Sequence, residues 1–258
     1  MFVRVLMLAL GFGVMSLVTP VSPARATEIT LLSVNGVKLV LPELVAAFEA
    51  RSGNKVSIGL GEAGVLRAEI EKGRAFDVVI LPKPAVAQLA TRGIVAAKGS
   101  RDFVRAPFGL AVRRGGPRPD TESSADLKRF LLAAKSVAFT DPATGGVSGV
   151  FFARVLDDLG IKQDVLSKAR LTSGVLNAQY VALGETEIAV QMKQEILAVP
   201  GVEFVEFPGE YRQSGVVVFS AGIGAGASAP QLAQEFVDFI TSPAASAILQ
   251  SRHFEPAQ

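Results

Sequence analysis

Three short stretches of this chain place small residues between a β-rich run and a helical one: Ser33 to Val37, Gly61 to Val65 and Asp141 to Val150. In such a turn a glycine lets a ligand approach the backbone closely. The helix that follows offers unpaired N–H groups at the positive end of its dipole. Three such turns facing one cleft would form a site for an anion or a polar small molecule, built largely from main chain. The residues at these turns are Asn35, Gly36, Val37 and Lys38 at the first, Glu62, Ala63 and Gly64 at the second, and Ser148 and Gly149 at the third. Asn177, Gln191 and Gln194 are further hydrogen-bonding candidates, with Lys38 and Arg105 as partners for a carboxylate. Glycine-rich turns join strands to helices in every α/β protein, and Lys38 and Arg105 are equally readable as solvated surface charges. What carries weight is that there are three turns in one chain.

Other chemistries find less support. A proton-transfer enzyme needs a positioned base and acid. Glu62 is the candidate base, provided that burial raises its pKa. Tyr180 and Tyr211, the two tyrosines, read more readily as packing or surface residues. His253 is the one histidine and sits in a C-terminal Arg-His-Phe segment. Gly222, Gly224 and Gly226 mimic a dinucleotide fingerprint, but no βαβ unit is built around them. No Gly-x-Ser-x-Gly elbow, His-Glu-x-x-His pair or Walker loop occurs. Cysteine is absent, which excludes disulfides and thiolate metal sites. No metal site and no cofactor are expected.

The elements that position these residues alternate as in an α/β protein with mostly parallel sheets. Strands are expected at Ile29 to Ser33, Val56 to Leu60, Phe76 to Leu81, Phe108 to Val112, Val137 to Thr140, Ile188 to Met192 and Val216 to Ala221. Val37, Val40, Leu41, Leu44, Val45 and Phe48 recur at helical spacing, with Gly53 ending the helix. Pro42 inside that pattern predicts a late start or a kink. Further helices are expected from the second turn to Glu71, at Pro84 to Arg92, Leu127 to Ala134, Val150 to Leu159, Asn177 to Leu183, Leu232 to Ile240 and Ala244 to Gln250. Arg113 to Ser124 reads as a polar surface loop.

The first 26 residues have the make-up of a cleaved secretory signal: Arg4, then the apolar run Val5 to Val18, then Ala24-Arg25-Ala26 before the break. At about 14 residues the apolar run is shorter than the ~20 that a membrane-spanning helix needs. An exported protein beginning at Thr27, working outside the cytoplasm, is therefore expected. The chain holds 26 basic and 24 acidic residues. Arg4 and Arg25 would leave with the leader, so the mature charges balance. No general attraction to nucleic acid or to an anionic membrane follows, and a monomer is expected.

Phe48-Glu49-x-x-x-Gly53, the run Ile70-Glu71-Lys72-Gly73-x-x-Phe76-Asp77-Val78-Val79-Ile80, and Asp141-Pro142-Ala143 resemble the periplasmic molybdate-binding protein family. Gly184-Glu185-x-x-Ile188-Ala189-Val190 and Phe236-x-x-Phe239-Ile240-x-Ser242-Pro243-x-Ala245 extend the likeness over the mature chain. The resemblance implies a type II periplasmic binding fold: two α/β lobes joined by two crossover strands around an interlobe cleft. The lobes would be residues 27–107 with 220–258, and residues 108–219, with Phe108 to Val112 and Val216 to Ala221 as crossovers. It further implies capture of a small polar or anionic ligand, a carboxylate or an oxyanion, for an ABC transporter permease. The family's ligand-binding serines would align with Gly36 and Ala63, and its tyrosine with Met192. Glu62 adds a carboxylate beside the second turn, whose repulsion of an oxyanion at 4 Å is roughly 1 kcal/mol in water and several times more in a half-dry cleft. A tetrahedral oxyanion is thus a poor fit. The chain resembles instead a divergent branch carrying Ser33-x-Asn35-Gly36-Val37-Lys38 and Gln191-x-x-Gln194-Glu195. That branch also includes aconitate isomerases, which use the same fold to shift a double bond in a tricarboxylate without a cofactor. In that case Glu62 would be the catalytic candidate.

Overall fold

The computed structural model describes residues 26–116 and 119–257. All of the expected leader except Ala26 lies outside the described residues. The chain begins with two parallel strand–helix–strand units: β1 (Glu28–Val34), α1 (Leu41–Ser52), β2 (Lys55–Gly61), α2 (Ala63–Glu71) and β3 (Val78–Pro82), with β1 between β2 and β3. α3 (Lys83–Thr91) leads to β4 (Arg101–Arg113), a strand of 13 residues. A second lobe follows: α4 (Ser124–Ala133), β5 (Val137–Thr140), α5 (Val147–Asp158), α6 (Lys162–Leu166), β6 (Ala169–Thr172), α7 (Ala178–Leu183), β7 (Ile188–Met192), α8 (Lys193–Leu197) and β8 (Val202–Glu206). There β5 runs parallel to β6 and β7. After α9 (Gly209–Arg212), β9 (Val216–Ile223) returns to the first lobe. It is completed by α10 (Pro230–Ile240), α11 (Pro243–Ser251) and β10 (Glu255–Pro256).

β4 belongs to both lobes. Its residues Arg101 to Pro107 pair with β9, whereas Phe108 to Arg113 pair with β7 and β8. The expected strand Phe108 to Val112 is therefore the second half of a longer one. The first half escapes a search for apolar runs because Arg101 and Arg105 are exposed on it. β9 pairs with β3 and β4 in the first sheet along its length, so it is not itself a crossover. The return passage lies just ahead of it, where the Phe108 N–H donates to the Gly215 carbonyl at 2.7 Å.

Local chemistry explains where the site-bearing elements begin and end. Pro42 stands in the first turn of α1, where its missing N–H costs nothing, so the helix starts late and the preceding residues Asn35–Val37 form a 3₁₀ turn. Gly53 closes α1 in the left-handed conformation at φ 71°. The expected loop Asp141 to Gly149 is shorter than its composition suggests. After a 3₁₀ turn at Pro142–Thr144, α5 begins at Val147, which puts Ser148 and Gly149 in its first turn. Val78 to Leu81 are fully buried, as a strand covered on both faces requires. Asp77 lies just before that strand and takes four hydrogen bonds: from the N–H groups of Thr30, Ser228 and Ala229 and from the Ser228 hydroxyl. Phe48 packs edge-on against Phe236 in one lobe, and Phe108, Phe151 and Phe207 pack together in the other. His253 is an exposed non-glycine residue at φ 62°, in the turn after α11.

Candidate functional site

Each of the three small-residue turns stands at the C-terminal end of a parallel strand, β1, β2 or β5. In an open α/β sheet that is where ligands are held. The turns meet across the gap between the lobes. Around a small cavity of about 20 Å³ lie Val34 at the end of β1, Asn35, Gly36 and Lys38 after it, Glu62 and Ala63 after β2, and Thr140, Val147 and Ser148 around the β5–α5 junction. Met192, Glu195, Gly174 and Val175 complete the lining. A space of that size takes one water molecule. The lobes are thus closed on each other, and a larger ligand enters only when they part.

Closure is held by polar contacts from both sides. Oε1 of Glu62 accepts from Asn35 Nδ2 at 3.1 Å within its own lobe. From the other lobe it accepts the Gly174 N–H at 3.0 Å and the Ser173 hydroxyl at 3.3 Å. Lys38 reaches the Gly174 carbonyl at 2.5 Å, and Gln194 Nε2 donates to the Gly36 carbonyl at 3.1 Å. Gly64 and Gly145 touch backbone to backbone. A Cβ on Gly145 would stand 2.7 Å from Gly64 Cα, and Gly145 also has φ 72°. These two glycines allow the lobes to approach this closely.

The anticipated residues thus divide. Asn35, Gly36, Lys38, Glu62, Ala63 and Ser148 line the cavity, and Gly64 and Gln194 lie in the lobe-to-lobe contact. The Ser148 hydroxyl is 3.4 Å from that of Thr140. Gly149 is packed beneath them, where a Cβ would come within 2.0 Å of the Thr140 carbonyl oxygen. Val37 is fully buried in the core. Gln191 spends its amide on the loop between β6 and α7, accepting from the Ala178 N–H and donating to the Val175 carbonyl, both at 3.0 Å. Asn177 is buried beside it and accepts from the Thr172 hydroxyl at 2.7 Å. Arg105 lies exposed on β4, paired across from β9 and β10, and does not line the cavity. Tyr180 carries the Arg170 guanidinium over its ring at 3.8 Å and is not among the lining residues.

Gly36 and Met192 explain each other. A Cβ at Gly36 would meet the Met192 methyl carbon at 2.6 Å, so the methionine fills the room that a side chain at position 36 would need. The loop Ser173–Val175 was not anticipated. It lies between a short exposed strand and a short helix, with no apolar periodicity to mark it. Glu195 was not anticipated as a site residue either. It is only 5% exposed and lines the cavity. Its Oε2 accepts the Met192 N–H at 3.4 Å, and Oε1 has no hydrogen-bond partner among the described residues. Burial drives its pKa up to about 8. The Met192 N–H and the Lys38 ammonium oppose that rise, and the Glu62 carboxylate adds to it. The cleft therefore contains a carboxyl group that keeps its proton at neutral pH. Among the described residues no group of three His, Cys, Asp or Glu is placed to hold a metal ion.

Two α/β lobes joined through β4 and the return passage ahead of β9, with the ends of parallel strands meeting in a closable cleft, define a type II periplasmic binding protein. The family model of the bacterial extracellular solute-binding proteins matches residues 29–255, and the chain belongs to that family. It is 26% identical over 262 residues to an aconitate isomerase from Pseudomonas sp, covering 99% of this chain and 98% of that protein. It is 24% identical over 254 residues to the molybdate-binding protein ModA of Azotobacter vinelandii, covering 95% of each. A periplasmic thiamin-binding protein superposes on it with a TM-score of 0.73 at 18% identity, over 92% of this chain and 85% of that one. Membership places the protein's work outside the cytoplasm, on a small solute.

Proposed function

We propose that this protein captures a small carboxylate-bearing anion between its two lobes and delivers it to an ABC-type permease. What supports this reading above all is Glu62 Oε1, a carboxylate oxygen held by donors from both lobes: Asn35, Ser173 and the Gly174 N–H. A ligand carboxylate entering the opened cleft would take over those donors, with Lys38 supplying the compensating charge and Ser148 a further hydroxyl. The open and closed forms would be related by hinge motion at β4 and the return passage ahead of β9. A tetrahedral oxyanion is less suited, because Gly36 and Ala63 offer it no hydroxyl and Met192 no phenol. Cleavage after Ala26 would release the mature chain as a periplasmic monomer that needs no cofactor and does not bind nucleic acid.

A second reading is a cofactor-free isomerase of an unsaturated tricarboxylate. It is favoured by the similarity to an aconitate isomerase over nearly the whole of both chains. It is also favoured by two cavity carboxyl groups, of which Glu195 holds its proton at neutral pH and so could exchange protons with a substrate. Glu62 would be its partner.

Both readings are tested by thermal unfolding of residues 27–258 with molybdate, tungstate, sulfate, citrate, malonate, and cis- and trans-aconitate. A ligand at 100 times its dissociation constant adds about 2.7 kcal/mol, a rise of several degrees. Stabilisation by a carboxylate without conversion fits the capture protein, and cis/trans conversion of aconitate in the same sample makes the protein an isomerase. A response to molybdate or tungstate alone would defeat both.

A further inference from the structure

Glu195 caps the start of α8 by accepting the Met192 N–H, but that single long contact does not match the cost of its position. A carboxyl group 95% removed from solvent is normally matched by several donors, as Asp77 is in this same molecule. Glu195 has one long hydrogen bond from Met192 N–H, and its other oxygen is unpartnered where the residue borders the cavity. The charged groups acting on it are Lys38, after β1, and Glu62, at the head of α2, both from the opposite lobe. The strands β4, β7 and β8 pack against its helix and contribute the Met192 N–H but no charge. The group therefore faces an anionic neighbour and a cationic one across the space that a ligand must occupy.

We propose that Glu195 is a specificity-determining residue that holds the ligand as a neutral acid, donating a hydrogen bond from its free oxygen to a carboxylate of the bound anion. This rests on the capture reading above. It deepens that reading by making the ligand a carboxylate whose binding above neutral pH takes up one proton from solution. In the closed, unliganded form Glu195 loses its proton near pH 8. An anion beside it favours the protonated form, so closing on the ligand pulls the proton back. A cationic ligand would do the opposite and expel the proton. The direction of proton exchange thus reports the charge of whatever the cleft accepts.

The experiment is calorimetric titration of the mature protein with trans-aconitate, whose carboxyls titrate well below this range. Citrate, malonate and molybdate form parallel series. Each titration is run at pH 6.5, 8 and 8.5 in buffers of differing ionisation heat. The wild-type protein should take up about half a proton on binding at pH 8, more at pH 8.5 and almost none at pH 6.5. Its affinity should fall up to about tenfold per pH unit above 8. Glu195→Gln keeps an uncharged donor, so it should still bind, without proton uptake and with affinity independent of pH. An anion that binds with no proton exchange, with proton release, or with uptake that persists in Glu195→Gln would overturn the inference and leave the capture reading standing. Binding of none of the anions would remove the capture reading and the inference with it. The wild-type titration is decisive even if the variant folds poorly.

Discussion

At the scale of single residues, Asp77 and Glu195 are buried carboxyl groups that their surroundings treat in opposite ways. Burial raises the pKa of both. At Asp77 the hydrogen bonds from Thr30, Ser228 and Ala229 outweigh it and hold the group below its ordinary value of 3.8. At Glu195 one hydrogen bond and the Lys38 ammonium do not, and the value reaches about 8. The consequences for stability have opposite signs. Asp77 stabilises the fold above its ordinary pKa, and that contribution is lost as the pH falls through the folded value. Asp77→Asn puts a donor against donors and should cost about 2–3 kcal/mol in denaturant melts at pH 7. Glu195 binds its proton more tightly folded than unfolded. Its favourable term is complete below about pH 4.5 and drains away as the pH rises to about 8, a change on the order of 4 kcal/mol. Glu195→Gln should remove that slope, so the variant is more stable than wild type at pH 8 and equal to it near pH 4. A variant that melts in parallel with wild type across this range would contradict the assignment.

At the scale of elements, the β5–α5 junction is the most tightly built part of the site. Gly149 lies so close to the Thr140 carbonyl that any side chain must push the first turn of α5 off the strand. Gly149→Ala should destabilise by roughly 1–3 kcal/mol, the usual cost of overpacking, and weaken ligand binding because Ser148 moves with it. The start of α4 is simpler. Ser123 and Asp126 form a reciprocal capping box, and Ser123→Ala should cost about 1 kcal/mol with no effect on ligand affinity. A loss of affinity there would mean that the second lobe transmits strain from its outer face to the cleft.

At the scale of the whole molecule, closure depends on Gly64 meeting Gly145 backbone to backbone. A Cβ on Gly64 would stand 3.0 Å from Gly145 Cα, against main chain that cannot swing aside. Gly64→Ala should hold the lobes partly open. The expected signs are a larger radius of gyration in solution scattering and a ligand affinity reduced about tenfold, with stability nearly unchanged. Lys38→Met should lower affinity for an anion more steeply than it alters the unliganded shape. It removes the charge facing the ligand but only one of the contacts between the lobes.

The α/β order of the first lobe and most of its strand and helix centres were legible in the sequence, as was the late start forced on α1 by Pro42. Those features follow from apolar spacing, proline and glycine, which act over a few residues. The three turns of the candidate site were legible for the same reason, each being a local strand–turn–helix signal. The first half of β4, the short elements around 162–172 and 193–206, and the Ser173–Val175 loop carry no periodicity and appear only through their partners in the fold. The roles of Glu62 and Glu195 could not be told apart in one dimension, since both are glutamates near apolar runs. Which carboxylate is held by donors and which is left with its proton depends on desolvation and on charges brought together across the cleft. The chain as a string determined the fold class and the mouths of the site. The closing of one lobe on the other decided its chemistry.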